Sequence, residues 1–189
     1  DTSDEQQKLT SAKLASQLQW HERAIFSLAD VGYWDDVELR FPLAYQQEMQ
    51  LSADKFKIDS GWSMAIARRE SSFMADAYSP AGARGLMQIM PGTANEIAKK
   101  QVQIRQLYNP VTNIDYGSDY LNYLKQRNDG NLLKATAAYN AGYSRVRQWI
   151  PQDYALPADV WVETIPYRET REYVKAVMAY YQIYNIRMN

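Results

Sequence analysis

Hydrophobic residues recur at spacings of three and four through most of the chain, a period that predicts α-helices rather than strands. The first such stretch predicts one long helix over residues 6–29, for which Gly32 provides a stop. Its apolar stripe consists of Leu14, Leu18, His21, Ile25 and Leu28. A shorter helix is predicted after Pro42, so we expect residues 1–55 to form a small helical unit.

The helical period returns after residue 58, where Asp59 or Ser60 can cap a helix that runs to about Phe73. It disappears again over residues 75–91, where prolines and glycines interrupt an otherwise apolar stretch. Because this stretch is too apolar for a solvated linker, we expect one or two short strands or a compact loop there.

Further helices are predicted towards the C-terminus, beginning with one that Thr93 and Glu96 would start as a capping box. The others are expected over residues 113–126, 132–141 and 144–150, with a loop over 151–159 and a final helix that carries Thr170, Tyr173, Val177, Tyr181 and Tyr184. We therefore expect a mainly α fold, in which a helical domain of residues 56–189 with a small β or loop region follows the helical unit of residues 1–55.

The composition fits a soluble protein with one sizeable core, because 46% of the 189 residues are hydrophobic and 23% are charged. No apolar run approaches the ~20 residues that cross a bilayer. The sequence shows neither an initiator methionine nor a signal peptide, so we expect a processed chain or one excised from a larger protein.

Cysteine is absent and His21 is the only histidine. Disulfides, thiol nucleophiles and thiolate or histidine-rich metal sites are therefore excluded, and we expect neither a metal nor a cofactor. His21 lies on an apolar stripe, where a packed core residue is a commoner outcome than a catalyst. Any chemistry must come from carboxylates, hydroxyls and amides.

Charge is unevenly distributed along the chain. Residues 1–60 carry 6 basic and 11 acidic side chains, whereas residues 61–189 carry 15 and 11. The second part would attract an anionic polymer, although its basic residues are too sparse for a nucleic-acid-binding surface. Scattered solvated charge explains the same counts equally well.

Glu70 is the first candidate for chemistry. On a helix it lies about 40° from Ile66 and about 60° from Phe73, at the edge of an apolar face. Burial at that edge would raise its pKa and keep a proton available for donation. A surface glutamate that pairs with Arg68 or Arg69 explains the position equally well.

A second carboxylate is not evident. Glycoside hydrolysis normally uses two, and near Glu70 the sequence offers only Asp76, which is more simply a solvated turn residue. If Glu70 acts alone, the substrate itself must supply the nucleophile.

Four ordered motifs of the chain resemble those of the soluble lytic transglycosylases, bacterial enzymes that cleave peptidoglycan between N-acetylmuramic acid and N-acetylglucosamine. The motifs are IARRES at 66–71, SP at 79–80 with GA at 82–83 and GLMQIMPGTA at 85–94, AAYNAG at 137–142, and the segment 163–174. Residues 20–45 also resemble the helical stretch that precedes the catalytic domain in larger members of this family.

The resemblance implies a lysozyme-like α+β domain in which Glu70 is the sole catalytic acid and base. Glu70 would protonate the glycosidic oxygen and then take a proton from the 6-hydroxyl of the same muramic acid. That hydroxyl attacks its own anomeric carbon and closes a 1,6-anhydro ring. An intramolecular nucleophile gains from proximity, by about 7 to 11 kcal/mol in the best-oriented cases.

The resemblance also implies a set of substrate-binding residues. The set consists of Ser79, Gln88, Met90, Tyr139, Asn140 and Glu163. Each has a simpler alternative. Gln88 could form hydrogen bonds to backbone groups of its loop, Tyr139 could be a core aromatic residue, and Glu163 could cap the last helix.

Two other functions stay open at this point. Asp76 could activate water, which gives ordinary hydrolysis by a muramidase, or the chain could be a peptidoglycan-binding module without activity. The anhydro product is one water lighter than a hydrolytic product. The resemblance further implies peptidoglycan strands as the partner rather than nucleic acid, a periplasmic location and a superhelical domain before this chain, and we expect a monomer.

Overall fold

A computed structural model of the protein describes residues 2–151 and 153–189. The chain folds into helices joined by short loops. In chain order they are α1 (Thr2–Gln17), α2 (His21–Asp30), α3 (Val37–Arg40), α4 (Gln46–Phe56), α5 (Ser60–Glu70), α6 (Pro91–Ala98), a 3-10 helix (Ile104–Tyr108), α7 (Pro110–Arg127), α8 (Leu132–Ala141), α9 (Tyr143–Gln148), α10 (Ala158–Thr164) and α11 (Arg168–Met188).

The predicted single helix over residues 6–29 is wrong, because the chain turns between α1 and α2. Gln19 takes a left-handed conformation with φ of 59°, and α2 begins two residues later. Leu14 and Leu18 are 55% and 51% exposed, so the apolar stripe does not form one buried face. Helices α1 and α2 instead pack against each other, and Ile25 belongs to the main core.

Helix α5 is the centre of the fold and packs against α4, α7 and α11. Asp59 caps it, as the sequence predicts, by accepting hydrogen bonds from the backbone N–H groups of Gly61 and Trp62 at 2.8 and 3.3 Å. The helix ends at Glu70 rather than at Phe73, because residues 72 and 73 are left-handed. Phe73 is nevertheless buried, so its apolar side chain still reaches the core.

The expected loop between α5 and α6 is confirmed, and its strand character is limited to two isolated bridges. Arg84 pairs with both Tyr78 and Ile89. The predicted capping box of Thr93 and Glu96 is wrong, because α6 already begins at Pro91. Proline is favoured at the first position of a helix, where its missing N–H is not needed.

The C-terminal half follows the sequence pattern closely. The bounds of α8 agree with the predicted range 132–141, and Gly142 ends this helix with φ of 88°. Helix α7 begins at Pro110, three residues before the prediction, because Asn109 caps it. Helix α10 was not predicted, since its seven residues are few for a helical period and no side-chain cap marks its start at Pro157.

Candidate active site

A cleft of about 530 Å³ opens at the C-terminal end of α5. Glu70, Asp76, Ser79 and Gln88 line it together, so the structure brings both carboxylates and two of the predicted binding residues to one place. Exposed Tyr78 also lines the cleft. Met90, Tyr139, Asn140 and Glu163 are not among the lining residues.

The carboxylate of Glu70 is held by a tyrosine from the last helix. The hydroxyl of Tyr173 donates a hydrogen bond to Oε1 of Glu70 at 2.5 Å. Burial raises the pKa of Glu70 from its ordinary 4.5 to about 7, an effect that the Tyr173 hydrogen bond and the charge of Arg69 oppose and that Glu169 reinforces. Glu70 can therefore hold or release a proton near neutral pH.

Two tyrosines, the buried Tyr173 and the partly buried Tyr139, lie close to this acid. Burial, followed by the charge of Glu70, raises the pKa values of Tyr139 and Tyr173 well above the ordinary range. Both hydroxyls thus stay protonated and act as donors. The Tyr139 hydroxyl donates to the carbonyl oxygen of Met87 at 2.7 Å, which fixes the loop against α8.

Gln88 and Ser79 belong to the loop that forms one wall of the cleft. The side-chain amide of Gln88 donates to the carbonyl oxygens of Ala77 and Gly85 at 3.2 and 2.9 Å. The hydroxyl of Ser79 accepts a hydrogen bond from the backbone N–H of Ala83 at 3.0 Å. Both side chains therefore stabilise the loop, and the amide oxygen of Gln88 and the hydroxyl proton of Ser79 stay available for a ligand.

Asn113 of α7 anchors the loop between α5 and α6 through three hydrogen bonds. This fully buried side chain accepts from the N–H of Met87 at 2.7 Å and donates to the carbonyl oxygens of Arg84 and Leu107, both at 2.8 Å. Gly85 has φ of 73°, and a Cβ there would collide with the Leu107 carbonyl oxygen. Glycine at this position therefore permits the close approach of the two backbone segments.

Asn140, Met90 and Glu163 lie outside the cleft lining. Oδ1 of Asn140 accepts from the hydroxyl of Thr170 at 2.7 Å, which joins α8 to α11. Met90 is 41% exposed at the start of α6. Glu163 is an exposed residue of α10 whose carboxylate lies 2.6 Å from Nζ of Lys175, so its observed contact holds α10 against α11.

Sequence reasoning missed two features of the site. The sequence puts Tyr173 on the final helix and in the fourth motif but does not indicate its contact with Glu70, which joins residues 103 positions apart. Tyr78 is 61% exposed in the cleft, and the guanidinium of Arg84 lies 4.0 Å from the centre of its ring. The available signal for Tyr78 was an aromatic residue between Asp76 and Ser79, in the loop that follows Glu70.

In the part of the chain that the structure describes, no group of three or more His, Cys, Asp or Glu side chains is placed to hold a metal ion. Of the helices described, none is both long and apolar enough to span a membrane.

Comparison with known sequences gives three matches along the chain. The model of the transglycosylase SLT domain matches residues 48–162. The soluble lytic transglycosylase helical domain matches residues 164–189, and the soluble lytic murein transglycosylase L domain matches residues 1–37.

Individual relatives agree with these matches. The soluble lytic murein transglycosylase of Escherichia coli K12 is 40% identical over 183 residues, which cover 94% of this chain but 28% of that protein. The structure of an inactive mutant of the lytic transglycosylase Slt from Pseudomonas aeruginosa has a TM-score of 0.91 at 44% identity, over 95% of this chain and 30% of the other.

The 70-kDa soluble lytic transglycosylase of Escherichia coli has a TM-score of 0.93 at 39% identity, over 98% of this chain and 31% of that chain. The mainly helical, lysozyme-like fold expected from the sequence is thereby confirmed. The chain spans less than a third of the length of each of these three relatives.

Proposed function

The chain belongs to the soluble lytic transglycosylase family, whose SLT domain it carries, and on that premise we propose that it is a peptidoglycan lytic transglycosylase. The enzyme cleaves the β-1,4 bond between N-acetylmuramic acid and N-acetylglucosamine and leaves a 1,6-anhydromuramic acid end. A peptidoglycan substrate favours a periplasmic location. The observation that carries the proposal is Glu70, an acid with a pKa of about 7 in an open cleft.

Glu70 first acts as an acid. Its proton passes to the glycosidic oxygen while the bond from that oxygen to the anomeric carbon of muramic acid breaks. The N-acetylglucosamine leaves with a new hydroxyl, and positive charge develops on the muramic ring. Glu70 is now a carboxylate, which the hydrogen bond from Tyr173 stabilises.

Glu70 then acts as a base. Its carboxylate takes the proton of the muramic 6-hydroxyl as the oxygen attacks the anomeric carbon and closes the anhydro ring. The acid regains its proton, and no water is consumed. One group can perform both steps because a pKa near 7 makes it neither too weak an acid nor too weak a base.

The remaining predicted residues are proposed to hold the substrate or the walls around it. Ser79 and Gln88 line the cleft and keep polar atoms free, which supports contacts to the muramic acid. Tyr139 and Asn140 would support the cleft from α8, and Met90 would add an apolar surface. For Glu163 the ion pair with Lys175 favours a role in holding the site together.

A division of the chain into two parts is also proposed. We assign residues 56–189 to the catalytic domain and residues 1–55 to a helical segment before it. The contacts among α1, α2 and α3 support a separate N-terminal group. Helix α4, however, packs on α5 and α7, so the end of the first segment is built into the catalytic core.

Variants of the two cleft carboxylates test the proposal on purified cell walls. We expect Glu70→Gln to release no soluble fragments, because the isosteric amide keeps the shape but cannot transfer the proton. Asp76→Asn should retain activity and give anhydro products. Hydrolytic products that disappear in Asp76→Asn would support a muramidase instead, and equal release by wild type and Glu70→Gln would indicate a binding module.

A further inference from the structure

Two consecutive arginines, Arg68 and Arg69, precede the candidate acid and line the same cleft. Arg68 is partly buried and Arg69 is exposed. Across the described residues, neither guanidinium forms an ion pair with a carboxylate. The cleft therefore contains two positive charges, and among the described residues no carboxylate lies within ion-pair distance of either.

Arg68 is held in a fixed position. Its Nε donates to the carbonyl oxygen of Arg40 at 2.8 Å, and Nη1 donates to the hydroxyl of Ser72 at 3.2 Å. The guanidinium lies 5.4 and 5.3 Å from the ring centres of Phe41 and Tyr180. These contacts orient the group but use only part of its five donors.

Burial lowers the pKa of Arg68, because desolvation disfavours its charged form. Tyr180 and Tyr184 oppose this effect, and the charges of Arg40 and Arg69 add to it. An arginine side chain nevertheless stays charged in proteins. Partly removing such a charge from water without an acidic partner costs free energy. A substrate carboxylate in the cleft would offset that cost.

Arg69 extends the positive charge to the reaction centre. Its guanidinium lies 5.7 Å from the ring centre of Tyr173, the residue that donates to Glu70. Its charge also lowers the pKa of Glu70. An anion bound by Arg68 and Arg69 would therefore sit beside the bond that is cleaved.

We propose that Arg68 and Arg69 bind a carboxylate that the substrate carries on the lactyl side of muramic acid. The inference rests on the proposed function, because that function supplies the muramic acid. The carboxylate has two possible sources, the free lactyl group of a peptide-free strand and the acidic residues of a stem peptide. Arginine suits both, since its planar fork matches a carboxylate with two parallel hydrogen bonds.

Binding to inactive protein tests this proposal without turnover. In a Glu70→Gln background, calorimetry compares three tetrasaccharides: one with stem peptides, the same one after the peptides are removed, and an N-acetylglucosamine oligomer without carboxylates. Arg69→Gln is the test variant. Arg147→Gln is the matched control, because Arg147 is an exposed arginine of α9 outside the cleft.

We expect Arg69→Gln to weaken binding of a carboxylate-bearing ligand by about tenfold, the size of a hydrogen bond to a charged group. The neutral oligomer should bind unchanged, and Arg147→Gln should affect no ligand. A loss confined to the peptide-bearing ligand assigns the carboxylate to the stem peptide. A loss confined to the peptide-free ligand assigns it to the lactyl group, and a loss with both means that the site accepts either.

Arg68→Lys provides a second variant, since it keeps the charge in a partly buried position but removes the planar guanidinium group. Thermal unfolding checks that this variant is folded, and we expect it to weaken binding of the acidic ligands alone. The proposal fails if both variants bind the acidic ligands as tightly as the parent, or if the neutral oligomer loses affinity by the same factor. Failure of the proposed function would appear separately, in the products of the wild-type protein.

Discussion

The hydroxyl of Tyr173 donates a 2.5 Å hydrogen bond to Oε1 of Glu70 and so joins the second turn of α11 to the last residue of α5. The bond stabilises the charged carboxylate and lowers its pKa, against the larger effect of burial, which raises it. The resulting pKa of about 7 is therefore a balance that single substitutions can shift in either direction.

Tyr173→Phe removes the stabilising bond, so the pKa of Glu70 should rise above about 7. The loss of activity at alkaline pH should then move upward by about one pH unit, because a hydrogen bond to a charged group contributes roughly 1.5 to 3 kcal/mol. The pH profile of kcat/KM measures this shift.

Tyr184→Phe is the matched control for that experiment. Tyr184 lies on the same helix, and its buried hydroxyl has no hydrogen-bond partner among the described residues. We expect an unchanged pH profile, with stability that is unchanged or higher because an unpaired polar group is removed. A shift as large as that of Tyr173→Phe would show that the effect is not specific to the contact with Glu70.

Substitutions of two exposed charged residues should shift the alkaline limb of the pH profile in opposite directions. The charge of Arg69 lowers the pKa of Glu70 and that of Glu169 raises it, so Arg69→Gln should shift the alkaline limb upward and Glu169→Gln downward. Both shifts should shrink in high salt, because exposed charges are screened. Shifts of the same sign would rule out a direct electrostatic effect.

Stability should also depend on the ionisation of Glu70. Because its pKa is raised from 4.5 to about 7, the folded state binds an extra proton between these values, and stability falls as pH rises through this range. Glu70→Gln removes the penalty, so relative to wild type it should gain up to about 3 kcal/mol between pH 4 and pH 8. Urea unfolding at the two pH values measures the difference, and an equal offset at both would contradict the assignment.

Asn113→Ala should unfold or loosen the loop that carries Gln88. It leaves the N–H of Met87 and the carbonyl oxygen of Leu107 without partners, at a cost of about 2 kcal/mol or more, whereas the carbonyl oxygen of Arg84 still accepts from the N–H of Ile89. Chemical denaturation measures the loss. Asn122→Ala, which removes an exposed amide from the same helix, should change stability by less than about 0.5 kcal/mol.

The sequence pattern predicted features that depend on local spacing. It located α8 and placed Glu70 near the core boundary, because helical period and capping are set by neighbouring residues. It did not predict the turn at Gln19, since no glycine or proline marks that left-handed residue. Likewise, the period put Tyr173 on a buried face but could not identify Glu70 as its partner, because tertiary packing decides that contact.

The central claim is that the muramic 6-hydroxyl, rather than water, completes the reaction that Glu70 begins. Digestion of purified peptidoglycan in water enriched in oxygen-18, followed by mass spectrometry of the fragments, tests it most directly. We predict muramic ends that are one water lighter than hydrolytic ends and carry no label, and no fragments from Glu70→Gln. Labelled reducing ends of muramic acid would contradict the claim.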